Sequence, residues 1–229
     1  MGGCRKNLRG GRSSAAGIFV RPGQRRKIDY PEPEPAPGPD LRDHRDVSDR
    51  DAARLFLALW PPAPLRASLA AYRDAWRWPA GAKPVADATL HLTLHFIGGL
   101  ARARIPTLTA ALAAVPVAKT VLRPGGAELW RGGIAVLRID DDAALAGLHE
   151  RLGAVLTNAG IALDARPFAP HVTLARKAAR AEPPAQWPAF EWRANGFVLV
   201  ESLPGGSARY DVLSRSRGAS QARGDMASG

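Results

Sequence analysis

The sequence predicts an α+β domain with helices packed on sheets. Three observations carry this: short apolar runs bounded by proline and glycine, helix-periodic stretches set between them, and a tetrapeptide, HLTL at 91–94, echoed as HVTL at 171–174. The layout is faintly duplicated, because each half has an apolar helix followed some residues later by a strand carrying His-x-Thr.

RLFLALW (54–60) is apolar enough for a buried strand, and the following Pro-Pro ends it. Pro64 opens a helix through LRASLAAYRDAWRW, where Leu65, Leu69, Tyr72 and Trp76 fall on one face. Thr89 to Ile97 reads as a strand that Gly98 and Gly99 stop. IPTLTAALAAV has helical spacing, with Pro106 in its first turn and Pro116 beyond its end. VAKTVLRPGGAELWRGGIAVLRID reads as strand, turn, strand. Asp140 or Asp141 caps a helix that ends at Gly160, with Leu145, Leu148, Leu152 and Leu156 inward. FAPHVTLAR (168–176) is a further strand, Pro183, Pro184 and Pro188 mark a loop, and NGFVLVES with ARYDVLSR forms an antiparallel pair around a turn at Leu203–Ser207.

The flanks differ in kind. Residues 1–50, with RPGQRRK and YPEPEPAPGPD, hold too little apolar surface to offset ordering entropy and are expected to be a disordered basic and proline-rich extension. Residues 218–229 are expected to be a second disordered tail, which leaves 51–217 as the folded domain. Lys and Arg outnumber Asp and Glu by 32 to 21, a net charge of +11 that favours an anionic partner, nucleic acid first. The single Cys4 excludes an internal disulfide framework and fits a reducing compartment. No apolar run is long enough for a membrane span, and AAGIFV is too short for a signal peptide, so a cytoplasmic protein is expected.

In a strand, residues i and i+2 share a face. Each motif therefore presents an imidazole and a hydroxyl together, His91 with Thr93 and His171 with Thr173, while Leu92, Leu94 and Phe96, or Val172 and Leu174, enter the core. Two such strands across a cleft suit phosphoryl transfer: one histidine takes a proton, the other donates one to the leaving oxygen, and the threonines hold the non-bridging oxygens. Spacing alone leaves the two histidine roles exchangeable.

With RLFLALWPP, HLTLHFIG, GGAELWRGG, FAPHVTLAR, and the closing ES followed by Tyr210 and Leu213, the chain resembles the two-histidine phosphoesterases over about Arg54 to Leu213. The specific likeness is to the RNA 2′,3′-cyclic phosphodiesterases historically called 2′-5′ RNA ligases. The resemblance implies two pseudosymmetric sheet-and-helix lobes around a V-shaped cleft. It also implies opening of a terminal 2′,3′-cyclic phosphate to a 2′-phosphate without metal or other cofactor and, in some members, reversible 2′-5′ ligation. Carried over, His91 is the acid, His171 the base, and Thr93 and Thr173 the phosphate holders. The likeness fades at SRSRGAS, where relatives continue into a Trp-Pro-Leu strand end.

Further candidates surround the motifs. His95 shares the expected face of Thr93, where relatives often carry Arg or Lys, and is expected to place a pH-dependent charge near the phosphate or to stand at the cleft rim. Arg176 falls on the opposite parity from His171 unless the strand bulges, yet the resemblance favours it as a phosphate binder. Phe56 and Phe168 each fit either stacking on a terminal base or core packing, Trp130 with Arg131 fits the rim, and His149 reads as a solvated or locally paired side chain. No metal site is expected, since His91 and His95 stand about 13 Å apart along a strand and no HExxH or P-loop occurs. The expected partners are RNA ends or small cyclic nucleotides bound by a monomer, with no membrane and no obligate protein partner. A second reading keeps the fold and takes a small cyclic nucleotide, a 2′-5′ oligonucleotide or ADP-ribose cyclic phosphate, and a third is a non-catalytic RNA-end binding module.

Overall fold

The computed structural model describes residues 51–204 and 209–217; the expected disorder of residues 1–50 and 218–229, and the tip of the last turn, lie outside the described residues. In chain order the elements are β1 (Ala52–Leu59), α1 (Ala63–Asp74), β2 (Lys83–Pro84), β3 (Leu92–Ala101), α2 (Ile105–Ala113), β4 (Thr120–Leu122), β5 (Pro124–Trp130), β6 (Ile134–Ile139), α3 (Ala143–Asn158), β7 (His171–Arg176), β8 (Trp192–Ala194), β9 (Gly196–Leu203) and β10 (Arg209–Arg217). The fold is α+β. One sheet runs β10-β9-β1-β3-β7-β6-β5 with β2 beside β7, and β4 pairs with β8 in a small second sheet. No described helix is long and apolar enough to cross a membrane.

Alternation in β1 sorts the main sheet into two faces. Ala53, Leu55, Leu57 and Leu59 point into a core shared with Leu65 and Leu69 of α1, Leu108 and Leu112 of α2, and Leu145, Leu148, Leu152 and Leu156 of α3. Each fully buried leucine contributes about 1.5–3 kcal/mol, so these helices hold to the sheet by their apolar stripes. The other face of β1 carries Phe56 and Ala58, which cluster with Val198 and Val200 of β9 and pack against Trp60, Tyr210 and Val212. This second face holds the candidate site.

Several boundaries differ from expectation. Helix α1 stops at Asp74 rather than running through Trp78, because Arg77 bridges to Glu182 and Trp76 stacks on Trp78 at 5.0 Å. Asp142, rather than Asp140 or Asp141, caps α3, its Oδ1 accepting from Leu145 N at 2.7 Å. Thr89 lies in a 3-10 turn and not in a strand. The Gly98–Gly99 pair does not end β3: Gly98 takes φ +77°, Ile97 is extra in the ladder, and pairing with β1 continues to Ala101. Likewise β10 persists to Arg217, despite the divergent SRSR sequence.

Candidate active site

Strands β3 and β7 meet through one pair, Leu92 opposite Val172. Both of these side chains are fully buried. Antiparallel geometry then sets His91 beside Thr173 and Thr93 beside His171, all four on the face away from the helices. The structure thus brings both His-x-Thr pairs to one point.

The two imidazoles are oriented alike. His91 Nδ1–H donates to Thr89 O at 2.6 Å, and His171 Nδ1–H donates to Ala169 O at 2.7 Å. A carbonyl only accepts, so each neutral ring keeps its proton on Nδ1 and leaves Nε2 as the reactive nitrogen. His91 Nε2 accepts from the Thr93 hydroxyl at 3.1 Å. The carbonyl that orients His91 is itself fixed from behind. Buried Arg73 of α1 donates to Val85 O and pairs with Asp87 at 2.7 Å, tying down the segment that ends at Thr89.

Burial lowers the His91 pKa to about 4; the bond to Thr89 O opposes this, and the positive charges of His171 and Arg176 add to it. Burial also lowers that of His171, opposed by Ala169 O, with Arg138 and Arg176 lowering it further and Glu128 raising it. Both rings are neutral in the empty site near neutral pH.

The same irregularity follows each motif. Leu57 faces His95 while the next residue, Ala58, faces Thr93, so Leu94 is an extra residue in β3. Ala135 faces Ala175 while Val136 faces Thr173, so Leu174 is an extra residue in β7. Each bulge flips the parity of the residues beyond it. Arg176 consequently returns to the face of His171, and its charge acts on both histidines.

The same flip corrects the placement of His95. It is buried at 7% exposure on the helix side, its Nε2–H donating to His149 O of α3 at 2.8 Å. It does not share a face with Thr93, and it cannot join His91 at a metal. Phe96, expected in the core, takes the cleft face at 61% exposure.

Aromatic rings wall the His91 side. Phe56 lies 5.0 Å from His91, 5.0 Å from Tyr210 and 6.4 Å from Phe96, and Trp60 is parallel to the His91 ring at 5.4 Å. On the other side Trp130 meets His171 edge-on at 4.3 Å and donates from Nε1 to Glu128 at 2.7 Å. Phe56 therefore borders His91 on the cleft face. Phe168 packs against the core and stacks on His149 at 4.0 Å, and His149 stacks on His95 at 3.9 Å, so His149 is locally paired.

Trp60, Tyr210, Glu128 and Arg138 also stand beside the two imidazoles, without being expected there from the motifs. Trp60 shares the parity of Phe56 and was legible. Arg138 is an isolated charge in the apolar run IAVLRI and was legible too, whereas Tyr210 and Glu128 enter only through strand order.

A family model described as the 2′-5′ RNA ligase superfamily matches residues 61–205. An Escherichia coli protein named RNA 2′,3′-cyclic phosphodiesterase is 31% identical over 169 residues, which is 71% of this chain and 94% of that protein. One of the same name from Thermus thermophilus is 30% identical over 165 residues, 65% of this chain and 81% of that one. The crystal structure of Escherichia coli LigT with 3′-AMP superposes with a TM-score of 0.65 at 27% identity, covering 73% of this chain and 99% of the other.

Proposed function

The chain belongs to the 2′-5′ RNA ligase superfamily, and on that footing we propose that it hydrolyses an RNA-terminal 2′,3′-cyclic phosphate to a 2′-phosphate with side-chain acid and base alone. The observation that carries the reading is the matched pair of imidazoles, each with Nδ1–H committed to the carbonyl two residues back and Nε2 left for proton transfer. Two relatives named for this activity support it.

In the reaction His171 Nε2 takes a proton from water as its oxygen bonds to phosphorus, and the P–O3′ bond breaks. His91, protonated at Nε2, gives its proton to O3′. Thr93, Thr173 and Arg176 hold the non-bridging oxygens, where negative charge accumulates. The bound anion supplies what the empty site lacks, since its charge opposes the desolvation that holds His91 neutral. Exchange with solvent then returns both rings to their starting states. With an RNA 5′-hydroxyl in place of water, the same steps form a 2′-5′ linkage, so ligation is included as the reversible variant. The common bulge and carbonyl contact support two lobes related by a pseudo-twofold axis through Leu92 and Val172, with a V-shaped cleft between.

The test is incubation of the purified chain, in EDTA, with an oligoribonucleotide ending in a 2′,3′-cyclic phosphate. A 2′-phosphate product is expected, with H91A and H171A variants losing at least a hundredfold in kcat, about the effect of removing an acid or base. Absence of product, or full activity in both variants, rejects the reading. Cyclic mononucleotides and 2′-5′ oligomers in the same assay rank the substrates.

A further inference from the structure

One cation of the cleft face has no phosphate to hold in the chemistry above and acts there only through its charge on His171. Arg138 of β6 pairs with His171 on one side and with Gly126 of β5 on the other, and paired residues share a face. Gly126 has no side chain, and nothing lies within 4 Å of where its Cβ would stand, so the space beside Arg138 is open. Arg138 Nε is buried and has no hydrogen-bond partner among the described residues. Glu128, on the same face, accepts from Trp130 instead.

Arg151 also has a buried, unpartnered Nε, but it lies on α3, on the helix side of the sheet, and other arginines are paired with carboxylates. Arg73 is held by Asp74 and Asp87, Arg102 by Glu201, and Arg166 by Asp164. Burying part of a guanidinium without a partner costs stability, and an anionic ligand would remove that cost.

The position selects which anion. Thr93, Thr173 and Arg176 already surround the point between the two histidines, and Arg176 acts on both rings. Arg138 stands one strand further out, a step of about 4.8 Å, and acts on His171.

We propose that Arg138 binds a second phosphate of the substrate, the phosphodiester on the 5′ side of the terminal nucleotide, and so makes the site selective for oligoribonucleotide ends over cyclic mononucleotides. This rests on the cyclic-phosphate reading for its kinetics but not for its binding.

The experiment compares wild type, Arg138→Met and Arg138→Lys on a dinucleotide ending in a 2′,3′-cyclic phosphate and on a 2′,3′-cyclic mononucleotide with a free 5′-hydroxyl. Arg138→Met is expected to lower the ratio of dinucleotide to mononucleotide kcat/KM about tenfold, equivalent to about 1.4 kcal/mol, chiefly through the dinucleotide KM, because the loss of its charge beside His171 falls on both substrates alike. Arg138→Lys, which keeps the charge but loses the fork, falls between. Equal losses on both substrates, or no loss on either, overturn the proposal. Arg138→Gln repeats the comparison if the methionine variant does not fold. Calorimetric binding of the two 2′-phosphate products gives an arm independent of turnover: the dinucleotide 2′-phosphate should bind Arg138→Met about tenfold more weakly, and the nucleoside 2′-phosphate equally well. A wild type inactive on both cyclic substrates rejects the proposed function, while this arm still decides Arg138; equal weakening for both products, or none, rejects the second-phosphate site.

Discussion

The chemistry of the site is set by how single side chains are held. A histidine whose Nδ1–H is committed to a carbonyl has one nitrogen left, and that nitrogen's direction is set by the strand. His91 and His171 obey this alike, with Thr89 O and Ala169 O as acceptors. The threonines are not equivalent in the empty site, since the Thr93 hydroxyl bonds His91 Nε2 at 3.1 Å. In the proposed reaction each hydroxyl turns to a phosphate oxygen whose charge grows in the transition state. Thr93→Val and Thr173→Val should therefore each lower kcat by about 100–1000-fold with a smaller change in KM, the range for loss of one preorganised donor. Steady-state kinetics check this, and a serine at either position should recover most of the loss. The identities of these four residues, and their sharing of one face, were legible in HLTL and HVTL, because two residues of extended chain always return to the same side.

At the scale of the element the bulges decide. Leu94 and Leu174 each add a residue to a strand whose partner does not lengthen, so Arg176 comes to the cleft while His95 leaves it. His95 then does helix work. Its Nε2–H meets His149 O, its ring stacks on His149, and α3 approaches so closely that a Cβ on Gly153 would lie 3.4 Å from His95 Cε1. His95→Ala should accordingly leave kcat/KM within about threefold and lower Tm by about 4–8 °C, taking about 2 kcal/mol for the lost hydrogen bond and packing. A thermal melt beside the cyclic-phosphate assay separates the two roles. A tenfold loss of activity without a change in Tm would return His95 to the substrate.

Across the whole molecule, burial holds His91, His95, His149 and His171 all below the ordinary imidazole pKa, and His91 and His149 reach about 4. Each is neutral in the folded chain and takes up a proton on unfolding at pH below about 6.5. Their contribution to stability is complete above that pH and is lost as pH falls through the lowered folded pKa of each, which is about 4 for His91 and His149; for His91 this amounts to about 3 kcal/mol. Urea unfolding at a series of pH values should show stability falling between pH 6.5 and 4, with a shallower slope in a His149→Gln variant. The sequence by itself determined the α+β class, the main strands and helices, the apolar faces of the helices and the paired motifs, because periodicity, capping and turn residues act within a few positions. Only the tertiary structure decided the faces of His95, Phe96 and Arg176, and the gathering of Trp60, Tyr210 and Arg138 around the two imidazoles. A bulge arises when paired strands differ in length, and strand order joins segments distant in the chain. Neither is a property of any one stretch of sequence.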